Sequence, residues 1–147
     1  MPLEVIIFYI LSLLGAILTI VIAYGSFVKK RQLILNGLFY YSFLPIIGET
    51  MGYLTTQLPY HFLFIALFSV QLLLASVKSA PFDPKSNILT QYAKRIGGAL
   101  ILINAFAAIF ILVVTTVYPI YLGVFHSVIA LSLIYALSHR LKGTMNE

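Results

Sequence analysis

Residues 96–139 read IGGALILINAFAAIFILVVTTVYPIYLGVFHSVIALSLIYALSH, 44 positions without one Asp, Glu, Lys or Arg. As a single helix they would extend about 66 Å, twice the roughly 30 Å of a bilayer's hydrocarbon core. The stretch is therefore expected to cross twice. Its break is Thr115-Thr116-Val117-Tyr118-Pro119, where polar residues meet a proline. Helices are expected near 96–115 and 119–138.

The same arithmetic applies upstream. Residues 32–77 hold one charge, Glu49, in 46 positions, and Thr55-Thr56-Gln57-Leu58-Pro59 supplies the turn. This predicts helices near 33–54 and 60–77. Pro45, Gly48 and Gly52 leave open a bent or re-entrant course for the first of these. Residues 5–28 are 24 uncharged positions and predict a helix of their own. The Met1–Glu4 start has no basic segment and no cleavage pattern follows, so this helix reads as a span rather than a leader. The expected fold is all-α: an integral membrane bundle of five transmembrane helices forming one domain over residues 1–147.

Composition agrees. Hydrophobic residues make up 61% of the chain and charged residues 9%, with a mean hydropathy of +1.04. A soluble domain carries roughly 25% charge, so a soluble enzyme, a disordered chain and a water-exposed binding module are excluded. The absence of cysteine removes disulfides, thiolate metal sites, iron–sulfur clusters and thiol nucleophiles.

The net charge of +5 would suggest nucleic acid in a soluble protein. Five crossings give it another meaning. Lys29, Lys30, Arg31, Lys78, Lys85, Lys94, Arg95, Arg140 and Lys142 all fall on one side, whereas the loops 55–59 and 115–118 carry no basic residue. The positive-inside rule then predicts the N-terminus outside and the C-terminus in the cytoplasm. The expected partners are the lipid bilayer and other membrane subunits, with no nucleic acid. The expected location is the cell membrane. Tyr9, Tyr53, Tyr60, Tyr118 and Tyr121 fall near the outer interface and Tyr24, Tyr92 and Tyr135 near the inner one, as amphipathic rings prefer. Tyr40 and Tyr41 lie deeper.

Residues 78–95 form the longest connector. Two prolines three apart exclude regular helix over 79–84. Ser86 or Asn87 then caps a helix with Ile88, Leu89, Tyr92 and Ile96 on one face. The expectation is a short interfacial helix before the fourth span, serving as a lipid-surface connector or a docking surface. Within this connector, Ala80-Pro81-Phe82-Asp83 resembles a run in a cytoplasmic loop of the quinone-binding membrane subunit of complex I and related hydrogenases. The resemblance covers four residues. Acidic residues follow in that family, whereas Pro84 and Lys85 follow here, and no function is carried over.

Ionisable groups inside a membrane are costly and mark functional candidates. Counting helical rise places Glu49, His61 and His126 in the outer leaflet, with His139 at the opposite rim. Two imidazoles and a carboxylate suit a metal triad, a proton relay or a quinol contact. The simpler alternative pairs Glu49 with His61 across one hairpin. A bis-histidine haem does not fit, because no two histidines share a depth. Neither a cofactor nor a metal is specified by these residues.

Pro45 removes the amide that would bond the Tyr41 carbonyl, and Gly48 with Gly52 forms a small-xxx-small pair. Together they suit a helix-packing notch or a cavity around Glu49. Gln71 and Asn104 fall near mid-depth and are expected to act as interhelical glue. Gly97-Gly98 suits close packing at the start of the fourth span. No nucleophile elbow, zinc-protease motif, phosphate loop or dinucleotide fingerprint is present, and no catalytic residue is assigned. The expected function is that of a small accessory or structural subunit of a larger membrane complex, with a respiratory or other redox complex as the expected setting. The alternatives are a small carrier or proton-conducting protein using Glu49, His61 and His126, or an outward-facing metal or quinol site.

Overall fold

A computed structural model describes residues 3–76 and 82–146, the Glu4 side chain excepted. Lys78, Ala80 and Pro81 lie outside the described residues, and with them half of the four-residue resemblance. The described chain is helical: α1 (Leu3–Phe27), α2 (Arg31–Thr56), α3 (Tyr60–Ser76), α4 (Asn87–Ile109) and α5 (Ile120–Leu141). A five-residue π-helical segment, Phe110–Val114, continues α4.

Three helical stretches are long and apolar enough to cross a membrane: Val5–Phe27, Asn87–Val114 and Ile120–Leu141. The third helix is apolar but has 17 residues. The second has 26 residues, among them Arg31, Gln32, Asn36, Ser42 and Glu49, and these polar groups lower its hydropathy. The chain is thus a membrane helical protein in composition and in helix length.

Two expectations about helix course change. The second helix is neither broken nor re-entrant at Pro45. It runs unbroken to Thr56, where Gln57 adopts a left-handed conformation (φ 58°) and donates its amide to the Tyr53 carbonyl. The segment before the fourth span is not a separate interfacial helix. Ser86 Oγ accepts the Leu89 amide, and one continuous helix runs from Asn87 to Ile109. Its only helix-weakening residues, Gly97 and Gly98, are both accommodated. A side chain at Gly97 would stand 2.8 Å from Leu137 Cδ1, so this glycine lets α5 approach closely, as the sequence suggested. Gly98 faces open space.

The helices form a ring. Each packs against its neighbours in the chain, and α1 also packs on α5. Two ends can be distinguished. The hairpin end carries the turns at 57–59 and 115–119; the basic end carries the α1–α2 turn, residues 82–86 and the C-terminal tail. At the basic end the tail folds back, with Asn146 accepting the Arg31 amide and donating its own amide to the Lys29 carbonyl (2.9 and 2.8 Å). Toward this end the ring is filled by Ile22, Ile34, Leu38, Leu100, Leu133 and Ala136. Intrahelical hydroxyl bonds, Thr19 to the Gly15 carbonyl and Ser26 to the Ile22 carbonyl, satisfy two small polar residues of α1, while Ser12 bonds the Tyr121 hydroxyl of α5 (3.1 Å).

Toward the hairpin end the packing opens. Residues 3–14 of α1 include no fully buried side chain among those described. The fourth helix widens into its π-turn, closed by the Thr115 amide bonding the Phe110 carbonyl (3.0 Å), before Thr115 turns extended. The result is a ring packed closely at its basic end, where a hollow of about 90 Å³ remains, and open at the other, where the hollow is about 720 Å³.

Candidate functional site

The hollow end is a cavity of about 720 Å³. That lies within the roughly 300–1,000 Å³ of small-molecule sites. Its walls are mostly apolar and come from α1, α2, α3, the π-turn, the 115–119 turn and α5; they include Leu11, Leu44, Phe64, Ile111 and Phe125. Polar groups stand at two levels.

The upper level is built on a hairpin. The α2–α3 turn brings Glu49 and His61 together, with Nδ1 of the imidazole 2.6 Å from Oε2 of the carboxyl. Both are buried. Tyr118, from the turn before α5, donates its hydroxyl to the same Oε2 (2.9 Å). On the far side of the ring, Nε2 of His61 lies 2.9 Å from Thr56 Oγ1. The Thr56 hydroxyl has one hydrogen, which it donates to the Gly52 carbonyl (2.9 Å). Its oxygen therefore accepts from His61, and Nε2 carries a hydrogen. The contact between Nδ1 and Oε2 must then hold a second proton, which either atom can carry. Burial first, then the Glu49 charge and its hydrogen bond, push the Tyr118 phenol well above its ordinary range. It stays a hydrogen-bond donor.

The lower level is the cavity floor, where four helices meet in a chain of hydrogen bonds. Ser42 Oγ (α2) donates to the Leu38 carbonyl at 2.7 Å and accepts from Gln71 Nε2 (α3) at 3.1 Å. Gln71 Oε1 accepts from Asn104 Nδ2 (α4) at 2.6 Å. Asn104 Nδ2 also donates to the Leu100 carbonyl at 2.9 Å, and its Oδ1 faces His126 Nδ1 (α5) at 3.1 Å. The ring closes on α2, with His126 Nε2 3.5 Å from the Tyr41 hydroxyl. Ser42, Gln71 and Asn104 are wholly inaccessible, so each polar atom needs these partners. The rings of Phe68 and Tyr41 pack against His126, their centroids 5.2 and 5.5 Å from its own.

The sequence candidates thus divide. Glu49 and His61 meet, and Gln71 meets Asn104. His126 lines the same cavity but bonds Asn104 and Tyr41 instead. Among the described residues no group of three or more His, Cys, Asp or Glu side chains could hold a metal ion, so the three-way metal arrangement is not formed. Its cause is register: His126 lies on α5 beside the deeper Asn104, while the hairpin sets His61 level with Glu49. His139 is apart, against Thr144 in the tail (2.8 Å).

The small-residue pair is no notch for another backbone. A side chain at Gly52 would stand 2.6 Å from Cε1 of His61, so this glycine seats the imidazole. One at Gly48 would meet nothing within 4 Å, because Gly48 lines the cavity. Pro45 lines it too.

Thr56, Tyr118, Tyr41 and Ser42 were not singled out as site residues from sequence. One signal did exist for Tyr41, which with Tyr40 stood apart from the interfacial tyrosines. The 57–59 and 115–119 turns read as simple connectors, and nothing in them announced that Tyr118 would reach Glu49.

Compared with protein-family models, curated proteins and solved structures, the chain matches none.

Proposed function

We propose that this chain is a five-crossing membrane protein, N-terminus outside and basic end in the cytoplasm, that binds a largely apolar small molecule in its outer half. The observation that carries this reading is the cavity itself: a hollow of about 720 Å³ with mostly apolar walls and a minority of polar side chains. Five crossings are supported by the packing of each helix on its neighbour in the chain and by the basic residues gathered at one end. A cavity in the outer leaflet is reached from the bilayer or the outer interface. Beneath Ser42, Gln71 and Asn104 the open space shrinks to a hollow of about 90 Å³ with mostly apolar walls, which favours binding over conduction.

The test uses Gly48, where a side chain has room. The protein is purified in lipid nanodiscs, extracted with solvent and its retained small molecules identified by mass spectrometry. Gly48→Phe puts a ring into the cavity and should abolish retention while the far-ultraviolet circular dichroism stays helical. Retention of the same molecules by the variant would sink the reading.

Two further roles rest on the same architecture. The expected place as a subunit of a larger membrane complex is favoured by the lipid-facing row Leu13, Ile17, Ile20, Tyr24 and Phe27, which offers a neighbouring chain a continuous apolar surface. Native mass spectrometry from mild detergent would reveal that chain. Carrier or proton-transfer activity is favoured by the proton held between Glu49 and His61. It requires that Glu49→Gln abolish transport in proteoliposomes without reducing protein yield.

A further inference from the structure

We infer that the cavity floor selects a ligand carrying a neutral hydroxyl group, an alcohol or phenol on a hydrocarbon body, and seats that hydroxyl between His126 and Tyr41. This rests on the binding reading above and specifies its ligand.

The inference follows from hydrogen positions that the floor itself dictates. A backbone carbonyl only accepts, so the Asn104 atom facing the Leu100 carbonyl must be its NH₂ group. The same group donates to Gln71, whose own NH₂ is turned to Ser42. Asn104 therefore presents its oxygen to His126, and Nδ1 of His126 carries a hydrogen. A neutral imidazole has only one. Its Nε2 is then a bare lone pair on the cavity wall, and the nearest donor, the Tyr41 hydroxyl, is 3.5 Å away. That distance is at the weak limit of a hydrogen bond. The amides cannot flip to change this, since each is fixed by the next and the chain ends on two helix carbonyls.

The floor thus offers one strict acceptor and one hydroxyl that gives or takes. A ligand hydroxyl donates to Nε2 and accepts from Tyr41, leaving no polar atom unpaired. A ketone or ether uses Tyr41 but leaves the imidazole lone pair without a donor, a costly state for a buried group. A carboxylate meets that lone pair with its own. An ammonium group would be buried without a counter-ion, because Glu49 stands two helical turns up α2, about 12 Å along the axis, already engaged by His61 and Tyr118.

The experiment measures retention of 1-dodecanol and of its methyl ether by nanodiscs holding the protein, corrected for empty nanodiscs. The alcohol should be held about tenfold more tightly, the value of one well-made buried hydrogen bond. His126→Phe keeps an aromatic ring against Phe68 and should bring the two probes to parity. Tyr41→Phe removes a donor that both probes use, so it should weaken both and leave the alcohol preferred; loss of the preference in this variant would overturn the assignment to His126 even if the His126 variant does not fold. Gly48→Phe should abolish retention of both. If both probes bind wild type equally and Gly48→Phe removes both, the hydroxyl selectivity is wrong and the cavity reading stands. If Gly48→Phe changes neither, or neither binds, both readings fall.

Discussion

The His61 imidazole occupies the space that a side chain at residue 52 would take, its Cε1 only 2.6 Å from where a Cβ on Gly52 would stand. That vacancy lets the ring slide against α2, turn Nδ1 to Glu49 and Nε2 to Thr56, and line the cavity rather than cap it. Gly48, one turn earlier, faces only the hollow.

Two glycines on one helix should therefore respond oppositely. Gly52→Ala drives its methyl into the imidazole and should destabilise the protein by about 1–3 kcal/mol, the usual cost of overpacking. Gly48→Ala meets open space inside a helix and should stabilise the protein by up to about 1 kcal/mol, since alanine is the better helix former. Thermal melts followed by circular dichroism in one detergent compare them. Equal shifts would show that the ring does not lie over Gly52.

Removing the carboxyl should cost more than altering it. Glu49→Ala leaves the His61 ring and the Tyr118 hydroxyl short of their common acceptor and should cost about 1–3 kcal/mol. Glu49→Gln keeps an acceptor oxygen for Tyr118 and should cost less. A melt in which the two variants match would place Glu49 outside this bonding.

The Gln71–Asn104 bond joins α3 to α4, helices that otherwise meet more thinly than their neighbours. A double-mutant cycle with Gln71→Leu and Asn104→Leu should give a coupling energy of about 0.6–2 kcal/mol, the range for interhelical bonds in membranes. Strict additivity would mean that the two amides act separately.

The crossing number has a direct test. With no native cysteine, single cysteines at Gln57 and Lys85 can be labelled without background. Gln57→Cys should react with an impermeant maleimide from outside intact cells, and Lys85→Cys only after permeabilisation. Reaction of both from one compartment would overturn the five-crossing topology.

Much of the fold was legible because a bilayer imposes a length. Runs of 44 residues without a charge and of 46 with one are too long for one crossing, and a Thr-Thr dipeptide with a proline marks the break in each. The helix limits Arg31–Thr56 and Ile120–Leu141 lie within three residues of those expectations. The start of the fourth helix was misjudged for a local reason. Lys94 and Arg95 read as the edge of a span, yet a capped helix passes through charge without breaking. Pro45 left the course of the second helix open, and the helix continues through it, since a helix can lose one amide bond and go on.

Sequence by itself determined which residues could not be left in lipid without a partner: Glu49, His61, Gln71, Asn104 and His126. Composition and helical rise also set their approximate depths. Only the tertiary structure decided who bonds whom, because that depends on how each helix is rotated about its axis, and rotation follows from packing around the whole ring. Depth and rotation together set His126 of α5 beside Asn104 and not beside Glu49. The same rotations left the centre of one end unfilled, and no linear spacing encodes a void.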